Sequence, residues 1–279
     1  MIAALPRLHA VTDDRVVGEA RVVERAAAMA AAAGPLLAVH LRARTLPGGA
    51  FLGLARDLAS ALAPHGSWLV VNDRADVARA AQARAVVSGR GGLSVKDVRR
   101  VVPGVPVGRS VHDDAERERA KAEGADFLVA GAVYTTPSHP AEPPRGLDVV
   151  RRAAATSLPV IAIGGITPAR ADEVVEAGAW GVAAIRALWD AADPAAAAAA
   201  FLAALPAPAP RADIGVVING EARRARPGIS LLDLLADLDL DARAVVVEHN
   251  RRIVRREALG ATPLAEGDSL ELVHFVGGG

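Results

Sequence analysis

Residues 158–188 read LPVIAIGGITPARADEVVEAGAWGVAAIRAL, and their order decides the fold. An apolar run, Val160 to Ile163, stops at Gly164-Gly165. A helix pattern then opens at Thr167 with Pro168 in its first turn, and a second apolar run, Gly181 to Ile185, follows one helix later. Strand, glycine turn, helix, strand is a βαβ unit. The turn leaves backbone N–H groups free where the first strand ends and the helix begins, a place that binds anions and phosphate above all. In an eight-stranded α/β barrel the loops after the seventh and eighth strands commonly hold a substrate phosphate, so the stretch predicts about six strands upstream.

Those strands have candidates. Apolar runs lie at Leu5–Val11, Leu36–Leu41, Trp68–Val71, Ala85–Val87, Val105–Gly108 and Phe127–Ala130, ahead of Val160–Ile163 and Gly181–Ala184. Ala-rich helix patterns alternate with them, at Glu19–Ala33, Ala50–Ala63, Arg74–Ala81, Asp113–Glu123 and Pro168–Ala177, several ending in a glycine that suits a left-handed cap. An eighth helix, Pro194–Leu205, takes Asp193 as N-cap. The alternation predicts a TIM (β/α)8 barrel over residues 1–205.

Composition changes at residues 206–212, PAPAPRA, where alternating proline and alanine favour extended, semi-rigid linker chain. Residues 213–279 have another rhythm: a strand at Ile214–Ile218, an Asn219-Gly220 hairpin turn and a return strand at Glu221–Arg226. A short helix, Leu231–Leu238, follows, with Ser230 and Asp233 spaced as a variant capping box, and strands at Ala244–Glu248 and Ser269–Val276 close the segment. That order is a small α+β module of the ubiquitin-like, β-grasp kind.

With 52% hydrophobic and 23% charged residues the chain can bury a sizeable core, and its 32 basic residues balance 32 acidic ones. Zero net charge and 3% aromatics point away from nucleic acid and from acidic membrane surfaces. No run approaches a membrane span and the start lacks a basic, apolar leader, so a cytoplasmic location is expected. Without cysteine there is no disulfide, cysteine-bound zinc or catalytic thiol.

Several motifs carry a resemblance: Leu8-His9-Ala10-Val11-Thr12-Asp13-Asp14, His40-Leu41-Arg42-Ala43-Arg44, Gly108-Arg109-Ser110-Val111-His112 and Ile163-Gly164-Gly165-Ile166-Thr167-Pro168. The first part of the chain resembles the superfamily of thiamine-phosphate synthases and thiazole tautomerases. Its last part, with Ile218-Asn219-Gly220-Glu221 and the terminal glycines, resembles the sulfur-carrier protein of thiazole biosynthesis. The resemblance implies a thiazole phosphate held by Gly164, Gly165, Ile185 and Arg186. It implies a substrate-contacting arginine at Arg42; His40 and Arg44, at alternating positions beside it, are candidates for the same face, with Asn72, Ser110, Thr136 and Ser138 as further contacts.

The two branches differ in chemistry. Synthases couple a pyrimidine diphosphate to a thiazole phosphate and hold magnesium with aspartates after strands three and four. Asp73 matches the first, but Val86–Gly92 offers no carboxylate for the second, and His139 stands where synthases keep a diphosphate-binding lysine. Both departures favour the tautomerase, which moves one proton to aromatise thiazole carboxylate phosphate and needs no cofactor. There the pattern places a catalytic histidine directly after the glycine ending strand six, and this chain has Ala132 after Gly131. His139 is therefore the first catalytic candidate and His112 the second, histidine being suited to proton transfer near neutrality. His9 reads as barrel interior or a substrate neighbour.

The expected function is bifunctional: a tautomerase barrel tethered to a carrier whose Gly278-Gly279 end is adenylated and converted to a thiocarboxylate. Glycine suits a tail that must thread a narrow tunnel, and the carrier's place at the end of the sequence leaves its carboxylate free. The implied partners are thiazole carboxylate phosphate, the thiazole synthase, an ATP-dependent adenylating enzyme and a sulfur donor. Two alternatives stand beside it: a magnesium-dependent thiamine-phosphate synthase fused to the carrier, and a non-catalytic barrel that binds thiazole phosphate and presents the carrier.

Overall fold

The computed structural model describes residues 5–136, 143–156, 158–206, 213–225 and 229–274. They fall into two compact units, with the division between residues 207 and 208.

The first unit is a closed barrel of eight parallel strands in sequence order. These are β1 (Leu8–Val11), β2 (Leu37–Leu41), β3 (Trp68–Asn72), β4 (Ala85–Ser88), β5 (Val107–Val111), β6 (Phe127–Gly131), β7 (Val160–Ile163) and β8 (Gly181–Ala184). Around them lie α1 (Asp14–Val17), α2 (Val22–Ala33), α3 (Gly48–Leu62), α4 (Ala75–Ala80), α5 (Val95–Val101), α6 (Asp114–Ala122), α7 (Asp148–Ala154), α8 (Ala171–Glu176), α9 (Arg186–Trp189) and α10 (Pro194–Ala204). Successive strand residues alternate between two environments. Leu8, Ala10, Leu37, Val39, Leu69, Val71, Leu128, Ala130, Val160 and Ala162 join Phe51, Leu58, Trp189 and Phe201 in the core between sheet and helices. The alternate set, including His9, Ala38, His40, Val70, Phe127 and Ile161, fills the barrel. Phe127 occupies the room that its strand neighbour Gly108 leaves, because a Cβ on Gly108 would lie 2.4 Å from the ring.

Strand β5 runs to Val111, three residues past the end expected at Gly108. Pro106, which has no N–H, stands just before it, and the pairing of Ser110 with Val129 and Val111 with Ala130 carries the strand on. Helix α9 was not expected: it is four residues long, without a side-chain cap, and too short to leave a periodic signal.

The second unit is a five-stranded sheet in the order β10-β9-β13-β11-β12 with one helix. Its elements are β9 (Ile214–Ile218), β10 (Glu221–Ala225), α11 (Leu231–Asp237), β11 (Val245–His249), β12 (Arg252–Val254) and β13 (Ser269–His274). Strands β9 and β13 are parallel and the other pairs antiparallel, the β-grasp arrangement. Asn219 and Gly220 both have positive φ (51° and 80°), as the hairpin turn demands, and Asn219 Oδ1 accepts the Leu272 N–H at 2.7 Å, fastening the turn to β13. Ser230 Oγ accepts the Asp233 N–H at 3.1 Å and so caps α11, whose Leu231, Leu234 and Leu235 pack on Val216, Val247 and Leu270. Strand β12 and the 3₁₀ turn Arg256–Ala261 went unread because neither has an alternating pattern. Among the described residues no helix is long and apolar enough to cross a membrane.

Candidate functional site

A cleft of about 960 Å³ opens at the C-terminal ends of the barrel strands. His40, Arg42, Arg44, Asn72, Asp73, Ser110, His112, Thr136, Gly164, Gly165, Ile185 and Arg186 all line it, so residues from the ends of six strands share one cavity. His139 and Ser138 lie outside the described residues, as do Gly278 and Gly279.

The glycine turn is built around close approach. Gly164 and Gly165 have φ of 109° and 64°, the region that L side chains avoid, and a Cβ on Gly165 would lie 2.6 Å from Thr135 O. Tyr134 N–H donates to Gly164 O at 2.9 Å, Arg170 donates to Gly165 O at 3.1 Å, and the Arg170 guanidinium stands 4.4 Å from the Tyr134 ring centre. Tyr134 in turn donates its hydroxyl to Glu173 at 2.5 Å; burial and this bond hold the phenol up at about 12. Next to the turn, α9 starts immediately after β8, so its first backbone N–H groups and those of the glycine turn line the same cleft.

Arg42 supplies the complementary charge. Its backbone is fixed by exchange with Thr12: the Arg42 N–H donates to Thr12 Oγ1 and Thr12 Oγ1 donates to Arg42 O, each at 2.9 Å. Its half-buried guanidinium makes no hydrogen bond or ion pair with the described residues. Burial, and then the charge of Arg44, weaken its hold on its proton, with Asp73, Asp14 and Asp13 opposing. A cation in that position is completed by an anion.

Asp73 has φ of 62° and accepts the Gly89 N–H at 2.7 Å, which turns its carboxylate across the loop after β4. A Cβ on Gly92 would lie 2.6 Å from Asp73 Oδ1 and 2.5 Å from Ser88 Oγ. Among the described residues no group of three or more His, Asp or Glu side chains gathers as a metal cage. One carboxylate beside a cationic cleft fits a magnesium ion that arrives with a diphosphate, since magnesium is commonly held by one or two carboxylates plus substrate phosphate oxygens.

His112 faces the cleft from the end of β5. Its N–H donates to Glu116 Oε2 at 2.8 Å and its Nδ1 lies 3.0 Å from the same oxygen, while Arg90 donates to Glu116 Oε1 at 2.5 Å. A carboxylate only accepts, so Nδ1 carries the hydrogen and Nε2 is left to exchange a proton with a ligand. Burial would raise the Glu116 carboxyl, but the bonds from Arg90 and His112 outweigh it and bring it down from 4.5 to about 2. Because the folded value is depressed, the stabilisation is fully present above pH 4.5 and lost as pH falls through 2. Thermal midpoints of the wild type and Glu116→Gln should therefore differ by a constant margin above that window and converge within it. Parallel curves throughout would remove Glu116 from the account.

His40, Arg42 and Arg44 line the same cleft but at different depths. His40 is 1% exposed, bound to His9 and Asn72 in the barrel interior, whereas Arg44 is exposed at the rim. Glu116, Arg90 and α9 are the parts of the site that sequence reasoning missed. Arg90 and Glu116 lie 26 positions apart and meet only because β4 and β5 pair.

Parallel eight-stranded barrels commonly hold phosphate in the loops after their seventh and eighth strands, where this glycine turn lies, and Arg42 at the same mouth is unpaired among the described residues. The family follows from comparison: the model described as thiamine monophosphate synthase matches residues 8–188, and the chain belongs to that family. Residues 216–279 match the ThiS family. The thiamine-phosphate synthase of Streptomyces avermitilis is 42% identical over 176 residues, covering 62% of this chain and 82% of that one. The thiamine biosynthesis bifunctional protein ThiM/ThiE of Symbiobacterium thermophilum is 46% identical over 167 residues, covering 59% of this chain but only 35% of that longer protein. The solved thiamine phosphate pyrophosphorylase of Pyrococcus furiosus superposes with a TM-score of 0.63 at 28% identity, covering 71% of this chain and 94% of that one. These relatives agree with the synthase alternative better than with the tautomerase reading.

Proposed function

We propose that the barrel is a transferase that couples a pyrimidine diphosphate to a thiazole phosphate, and that the C-terminal unit carries sulfur as a thiocarboxylate. The observation that supports the barrel's part most is Arg42, a half-buried guanidinium without a hydrogen-bond or ion-pair partner among the described residues, in the same cleft as the glycine turn. One anion seat lies at Gly164, Gly165, Ile185 and Arg186 for the thiazole phosphate, and the other at Arg42 and Arg44 for the diphosphate. Asp73 would hold a magnesium ion, which supplies charge neutralisation for the departing diphosphate. The full chain, given both substrates and magnesium, should form thiamine phosphate and inorganic pyrophosphate. A folded protein that makes neither overturns the reading.

The His112–Glu116 pair favours a second reading, aromatisation of thiazole carboxylate phosphate, because a histidine fixed by a carboxylate is equipped for proton transfer. Running the non-aromatic tautomer beside the coupling substrates separates the two. Turnover of the tautomer that His112→Gln abolishes, with no coupling, would replace the first reading by the second.

For the carrier, the partners are an ATP-dependent adenylating enzyme, a sulfur donor and the thiazole synthase. Intact mass after incubation with the first two should show one oxygen exchanged for sulfur. Removing Gly278 and Gly279 should abolish the exchange, and persistence of it would refute the carrier.

A further inference from the structure

Asp14 stands beside the cleft rather than in its lining, yet three hydrogens converge on one of its oxygens. The Arg44 N–H, the Thr45 N–H and the Thr45 hydroxyl each donate to Asp14 Oδ1 at 2.8 Å. All three belong to the loop between β2 and α3, residues 42–47, which carries Arg42 and Arg44.

The arrangement follows from how two strands part. Pairing of β1 with β2 runs to Val11 beside His40, and the Thr12 N–H adds one rung on His40 O at 3.0 Å. The chain then turns into α1, because Asp13 accepts the Val16 N–H at 2.9 Å as N-cap, and the backbone leaves the ladder. Side chains continue what the backbone gives up: Thr12 bonds the Arg42 backbone, and Asp14 takes the N–H groups of Arg44 and Thr45. Val16, fully buried, fixes the turn on which Asp14 sits. The Thr45 N–H, first among several donors, holds the Asp14 carboxyl below the usual carboxylate range, so the loop is bonded to the charged form. Asp14 thus acts on the cleft in two opposite ways. Its bonds restrain a loop whose ordering would otherwise cost affinity when an anion arrives, while its charge, felt by Arg42, offsets part of that guanidinium's pull.

We infer that Asp14 is a positioning residue for the Arg42–Arg44 seat: through three hydrogen bonds to the loop it holds the two arginines ready for the diphosphate. The anion at that seat rests on the reading of the cleft given above; the hold on the loop does not.

Amide hydrogen exchange of the unliganded full chain reads the hold alone. The Arg44 and Thr45 amides should exchange about tenfold or more faster in Asp14→Ala than in wild type, the loss of a bond to a charged group. Asp14→Asn, whose amide oxygen still accepts, should keep most of the protection. Unchanged exchange in the alanine variant overturns the inference. Binding of inorganic pyrophosphate to the same three proteins reads the consequence. Both variants lack the charge, so the difference between them isolates the hydrogen bonds. Asp14→Asn should bind at least as tightly as wild type, and Asp14→Ala about tenfold more weakly than Asp14→Asn. Equal affinities of the two variants overturn the positioning role. Arg42→Ala, measured alongside, separates that failure from failure of the seat. If it binds pyrophosphate as wild type does, the seat lies elsewhere and the role of Asp14 falls with it; if it binds weakly, equality of the Asp14 variants counts against Asp14 alone.

Discussion

Replacing Arg42 with alanine is expected to lower kcat/KM for coupling on the order of a hundredfold, corresponding to about 3 kcal/mol for losing one partner of a desolvated charge pair. Affinity for inorganic pyrophosphate should fall by a similar factor, because the guanidinium has no competing partner among the described residues. Stability should move the other way or not at all, since the substitution removes a half-buried charge that burial and Arg44 already disfavour. Arg42→Lys should restore only part of the rate: lysine brings the charge but not the planar fork that grips two oxygens at once. Unchanged kinetics and pyrophosphate binding in the alanine variant would show that the cleft's anion sits elsewhere.

Gly165→Ala should damage both fold and binding. The backbone there sits at φ of 64°, which costs an alanine roughly 1–2 kcal/mol. Its Cβ would stand 2.6 Å from Thr135 O and 2.8 Å from Tyr134 Cβ, so the loop must also open. A total of about 3 kcal/mol is expected, lowering the thermal midpoint by roughly 6–12 °C for a unit of this size. Gly91→Ala is the control, because a Cβ there meets nothing within 4 Å. Phosphate affinity should drop with Gly165→Ala and persist with Gly91→Ala; equal behaviour of the pair would dissociate the turn from phosphate.

The two variants divide along what the amino-acid sequence discloses. The glycine turn is local: an apolar run, a glycine pair and a proline-led helix sit within ten residues, and their order states their geometry. The eight strands were legible for the same reason, each apolar run being bounded by polar or glycine residues, although their ends moved where strand pairing overrode local signals, as in β5. Relations between distant loops were not legible. Arg90, Glu116 and His112 become one unit only through the pairing of neighbouring strands. The alternation of His40, Arg42 and Arg44 suggested one shared face but not its depth: the strand ends at Leu41, so His40 lies buried at the floor of the cleft and Arg44 is exposed at its rim.

Gly92 bears on how such a barrel diverges from its relatives. Its backbone lies against Asp73, and Ser88, the other neighbour of the missing Cβ, donates to Leu93 O at 2.6 Å and receives Arg109 at 2.8 Å. A side chain at position 92 would have its Cβ 2.6 Å from Asp73 Oδ1 and 2.5 Å from Ser88 Oγ, so both side chains would have to shift to admit it. A Gly92→Asp exchange would therefore bring a second carboxylate into this loop only with a shift of the Asp73 and Ser88 side chains that already meet there.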